Sequence, residues 1–108
     1  MNNHLSTVNK KMLESLKSLT IIGREWMDTY GNTYHSTLLS INNEPFTLLP
    51  ITYGGSDQYI QTAVNYLKEK NLLPNQFISI YDLKYHFHIK TLYTVSTVTT
   101  KKQLKRWY

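Results

Sequence analysis

The chain contains no cysteine among its 108 residues. That absence excludes disulfides, thiolate metal sites and thiol nucleophiles together. It fits a reducing cytoplasm. Glycine and proline are scarce, at four and three residues, so each one reads as punctuation. No apolar run reaches the roughly 18 residues of a membrane-spanning helix, and no contact with a membrane is expected. The opening Met1-Asn-Asn-His-Leu-Ser-Thr has neither a basic start nor a continuous apolar stretch, so no signal peptide is expected. The last 26 residues contain no acid at all.

What is present is a single-domain length with an ordinary hydrophobic content of 41%. The net charge of +5 is unevenly placed. Residues 1–82 balance to −1, whereas Lys84, Lys90, Lys101, Lys102, Lys105 and Arg106 give residues 83–108 a charge of +6. Such a segment marks either an anion- or nucleic-acid-binding face or a solvated, flexible basic tail over 100–108. Ten lysines against two arginines, with nine asparagines and nine tyrosines, suggest an AT-rich genome.

Apolar spacing divides the chain into elements. Leu5, Val8, Met12, Leu16 and Leu19 predict a helix over 5–18. Alternation predicts strands at 20–29, 33–41 and 45–51, with Pro45 and Pro50 making the third an edge strand. Gly31-Asn32 fits a two-residue hairpin turn, and Asn42-Asn43 a second turn. A helix is expected over 57–70, capped by Ser56 or Asp57 and ended by Asn71 in the left-handed region with Leu72 and Pro74 beyond. A short helix over 78–86, a strand over 88–99 and a terminal helical turn complete the chain. The order α-β-β-β-α-(α)-β predicts an α+β domain spanning 1–108, an antiparallel sheet with its helices on one face.

The stretch from Trp26 to His35 combines turn chemistry, aromatic density and a titratable ring. Tyr30, Asn32, Tyr34 and His35 are the candidate binding residues, since rigid rings with polar ends suit a partner surface. The same aromatics could instead pair across strands and fix the hairpin register. Tyr34 and His35 are expected on opposite faces of the strand that leaves the tip. A second candidate surface is nucleic-acid binding through the basic set above, with Trp107 or Tyr108 stacking on bases. Tyr53-Gly54-Gly55-Ser56-Asp57 could present free N–H groups to an anion, but it holds no Lys or Arg and reads as a strand-to-helix turn. His86-x-His88 has a metal-compatible spacing without a nearby acid, and no metal or other cofactor is expected. Neither a Gly-x-Ser-x-Gly elbow nor a paired-carboxylate spacing is found, so catalysis is not the expected activity. A nucleotide-binding protein or enzyme using His35 and nearby tyrosines stands as a weaker alternative.

The α-β-β-β-α order resembles the double-stranded RNA-binding domain, with Gly31 and His35 in the position of that family's minor-groove loop. The spacing is Gly-x-x-x-His and the family's loop proline is missing, while Gly55-Ser-Asp-Gln-Tyr-Ile-Gln-Thr-Ala63 lacks the lysines with which the family grips phosphate. Gly31-Asn-Thr-Tyr-His35, Tyr53-Gly-Gly, Tyr59-Ile-Gln-Thr-Ala63 and Val98-x-x-Lys101-Lys102-x-Leu104 together resemble a group of small bacteriophage proteins over most of 20–104. That resemblance implies no particular activity. By analogy with phage chains of this size, which often bind and disable a host protein, the expected role is a non-catalytic protein that binds a host protein in the host cytoplasm, in host takeover or inhibition of a defence system. Homo-oligomerisation is left open.

Overall fold

The structure is a computed structural model that describes residues 14–74, 79–85 and 87–107. Strands β1 (Ser18–Met27), β2 (Thr33–Ile41), β3 (Thr47–Tyr53) and β4 (Lys90–Thr97) form one sheet in the order β3-β2-β1-β4. Helix α1 (Gln58–Glu69) and helix α2 (Ile80–Tyr85) lie between β3 and β4 in sequence, and a helical turn α3 (Lys102–Lys105) follows β4. The order among the described residues is therefore β-β-β-α-α-β-α. Residues 5–13 of the expected N-terminal helix lie outside the described residues; Glu14 is helical, but the helix does not reach residue 18, since the chain turns at Ser15 and Ser18 already opens β1.

The α+β class holds, but two features of the expected sheet are corrected. The sheet is mixed: β1, β2 and β3 are antiparallel, whereas β4 runs parallel to β1. A hairpin forces reversal, but the long connection through α1 and α2 carries the chain back across the sheet and lets β4 enter in the direction of β1. Helices also occupy both faces. The packing of α1 and α2 covers one face, while α3 packs on β1 and β2 from the other. Alternation along a strand assigns residues to two sides without saying what covers each.

The face under α1 holds the core. Leu19 and Ile21 of β1, Leu39 of β2 and Leu49 of β3 meet Tyr59, Ala63, Val64 and Leu67 of α1, at the three- and four-residue spacing of an apolar helix stripe. Gly23 allows the close approach of that helix. A Cβ there would lie 2.6 Å from Cγ of Tyr59, so the tyrosine ring rests directly on the β1 backbone. Burial raises the Tyr59 phenol above its ordinary pKa. The C-terminus of α1 is closed as the sequence indicates: Asn71 takes φ 59°, its N–H donates to Lys68 O, and the Leu72 N–H donates to Leu67 O. This is a Schellman closure. At the other end Asp57 occupies the cap position without a side-chain cap bond. Strand β3 is an edge strand, with its register shift against β2 between His35 and Thr37, close to Pro50.

Candidate binding surface

The hairpin tip is built by Asp28 rather than by a two-residue turn. Met27 pairs with Thr33, and the N–H of Asp28 donates to Asn32 O at 2.9 Å. The Gly31 N–H returns to Asp28 O, and Gly31 takes φ 84°. The loop is therefore Thr29, Tyr30 and Gly31, a turn followed by a left-handed glycine. The Asp28 carboxylate makes this longer loop favourable by accepting the Tyr30 and Asn32 N–H groups, both at 2.9 Å. Those bonds, that from Asn32 first, hold the Asp28 carboxyl below its ordinary pKa. Asn32 is accordingly part of the loop's own framework, its side-chain amide 3.4 Å from Asp28 Oδ2. Tyr30 projects from it and is 88% exposed.

Tyr34 and His35 do point to opposite faces. His35 points under α1 and is 1% exposed. Its Nδ1 lies 2.7 Å from Gly54 O and its Nε2 2.7 Å from Thr62 Oγ1. A carbonyl can only accept, so Nδ1 carries a proton, and in the neutral ring the Thr62 hydroxyl donates to Nε2. This corrects His35 as an exposed contact residue, because the ring is a buried clamp joining β2, the Gly54 turn and α1.

Tyr34 belongs to the opposite face, where three strands contribute one row of rings. Trp26 on β1 stacks on Tyr34 at 6.1 Å, and Tyr34 meets Tyr53 of β3 edge-on at 5.5 Å. The pairing is set by register, since Tyr34 lies opposite both Trp26 and Tyr53. Tyr53 is 65% exposed, while Trp26 and Tyr34 are half-buried. Tyr53 is missed from the sequence when β3 is ended at residue 51. Alternation alone would not have found it, because it puts Tyr53 on the face of Leu49; the register shift between His35 and Thr37 turns Tyr53 to the Tyr34 side.

The next row of this face receives the C-terminal turn. Arg24 Nη1 donates to the carbonyls of Gln103 at 3.0 Å and Arg106 at 3.3 Å. Its guanidinium lies 4.2 Å from the centre of the Trp107 ring. The Trp107 indole donates to Ser36 Oγ and to Leu104 O, each at 3.2 Å. Leu104 is fully buried against the sheet. Residues 101–107 thus lie folded on the face that carries the aromatic row, and Lys101, Lys102, Lys105 and Arg106 are exposed there. Phe46 and Leu48 continue the apolar surface along β3, beside Leu38 and Trp107.

The remaining candidates do not gather there. The Lys84 ammonium sits 5.7 Å from both the Tyr85 and Tyr93 rings on the α1 side. Lys90 opens β4 opposite Ser18, at the end of the sheet away from the hairpin tip. Tyr108 and His86 lie outside the described residues, and His88 is exposed at φ 54°. Among the described residues no group of three metal-ligating side chains faces one point. At the Gly54–Gly55 turn the Gly54 N–H donates to Thr33 O and the Ser56 N–H to Glu25 Oε2, a carboxylate where an anion would have to sit. Among the described residues no helix is long and apolar enough to cross a membrane.

Comparison of the chain with protein-family models, with curated proteins and with solved structures gives no match.

Proposed function

We propose that this chain is a non-catalytic binding protein that takes a protein partner on the sheet face bearing Trp26, Tyr34 and Tyr53, with Tyr30 at the rim. The observation that carries this reading is the aromatic row itself. Its rings project from paired strands rather than from a loop, so they lose little further freedom when a partner covers them. Tyrosine and tryptophan are the side chains that most often anchor such contacts. The resemblance to small bacteriophage proteins makes a host protein the partner class, and host takeover or suppression of a defence system the setting. His35, with both nitrogens engaged inside the fold, weighs against the nucleotide-binding or enzymatic alternative.

Nucleic-acid binding is the second reading, because the cations of residues 101–106 are exposed and Lys105 and Arg106 line a groove with Trp107 and Phe46 on the same side of the sheet. Against it, Trp107 is covered by Arg24, and Lys84 and Lys90 lie elsewhere. Capture from host lysate with wild type and with the Tyr34→Ala/Tyr53→Ser double variant tests the first reading. A protein retained by the wild type and lost by a folded double variant is the expected result. Equal recovery by both would contradict it. Gel shift of single-stranded DNA or RNA at low salt, fading as salt rises, would favour the second reading instead.

A further inference from the structure

Strand β4 ends the sheet on one side, and its outer edge has no neighbouring strand among the described residues. Which of its backbone groups face outward follows from two bonds. Lys90 N donates to Lys17 O and Val98 N to Glu25 O, so even-numbered residues of this strand turn their N–H and C=O groups toward β1. The odd-numbered residues Thr91, Tyr93, Val95 and Thr97 therefore direct theirs outward, where they meet no backbone partner among the described residues. Natural edges are usually blunted by proline, charge or a bulge. The other edge of this sheet is blunted in that way, by Pro50 and the register shift of β3. The β4 edge has none of these: Thr91-Leu-Tyr-Thr-Val-Ser-Thr97 contains no charge, proline or glycine.

We infer that the occupant of this edge is β4 of a second copy, paired antiparallel about a two-fold axis at Thr94. The register is self-consistent. Centring on Thr94 sets Thr91 opposite Thr97 and Tyr93 opposite Val95, all residues whose backbone groups face outward, so each pair exchanges both of its hydrogen bonds. Leu92 meets Ser96 and Thr94 meets Thr94 at the positions between. No like charges meet within the paired segment, and Lys90 falls opposite Val98 at its end. That matters in a chain of net charge +5, for which self-association elsewhere brings like charges together.

Strand pairing must be accompanied by side-chain burial, because a specific interface covers about 1,000 Å² or more in total. The apolar groups lie at this edge. Leu92, Tyr93 and Val95 are exposed, as are Tyr81 and Tyr85 on α2, which packs over β4. The axis places the Tyr93 ring against Val95 of the second copy twice over, an aromatic and β-branched cross-strand pair. The two sheets would become one continuous sheet, with both aromatic rows on the same side. This inference uses a different surface from the proposed partner site and stands or falls separately from it.

Sedimentation velocity across a concentration series tests it, since the monomer mass is 12.7 kDa. A concentration-dependent dimer is expected for the wild type. Thr94→Lys is exposed and alters no bond to β1, but it puts a charge on the axis opposite its own copy. It should weaken dimerisation by roughly tenfold or more while leaving the circular dichroism spectrum and Tm in place. Mixing Thr94→Lys with Thr94→Glu should restore a mixed dimer. A wild type that stays monomeric at high concentration would overturn the inference, as would a dimer that both charged variants leave intact.

Discussion

His35 connects three elements with one ring, donating from Nδ1 to the Gly54 carbonyl and accepting at Nε2 from Thr62. Removing the ring leaves a cavity under α1 and two polar groups without partners in a buried place. His35→Ala is therefore expected to lower stability by about 2–4 kcal/mol, read from the urea midpoint. Tyr30→Ala, at an exposed loop residue, should stay within about 0.5 kcal/mol of wild type. Equal, small effects for the two variants would show that the clamp is not structural. The division between Tyr34 and His35 was legible in the alternation of β2, which puts neighbours on opposite faces whatever their identity. Which face lay under a helix was not legible there, because β2 mixes polar and apolar residues on both faces: His35 and Thr37 are buried beneath α1, and Ser36 and Ser40 are buried on the other side. In the sequence Asp28 belongs to no motif. Its control of the tip emerges only when its carboxylate is seen to collect the Tyr30 and Asn32 amides.

At the scale of elements, α3 is held by Arg24 together with an apolar anchor. Four helical residues cannot sustain a helix alone. Arg24 satisfies the carbonyls at its end and covers Trp107, while Leu104 supplies the apolar anchor. Arg24→Ala should release the turn, seen as faster hydrogen exchange at the Leu104 and Arg106 amides with the amides of α1 unchanged. Arg24→Lys should rescue little, because a compact ammonium cannot lie flat on the indole and reach two carbonyls together. Unchanged exchange in Arg24→Ala would mean that Leu104 suffices. The elements themselves were mostly readable. Alternation located β2, Pro50 marked β3 as an edge, and Asn71 ended α1. The direction of β4 and the position of α3 were not readable, because both depend on how a connection crosses the sheet and on a contact 82 residues apart, between Arg24 and Arg106. Neither leaves a periodic trace.

The whole molecule is a mixed sheet with one face closed by α1 and α2 and the other partly covered by α3. The part that no described helix covers carries Trp26, Tyr34 and Tyr53. A protein partner seated there would touch Tyr53 and leave the solvent side of α1, where Gln61 is exposed, untouched. Photocrosslinking in the host cell measures this directly, with a benzophenone amino acid in place of Tyr53 in one sample and of Gln61 in another. A discrete, nuclease-resistant adduct from position 53 and none from position 61 is the predicted result. An adduct from position 61 alone, or one from position 53 that nuclease removes, would contradict the account.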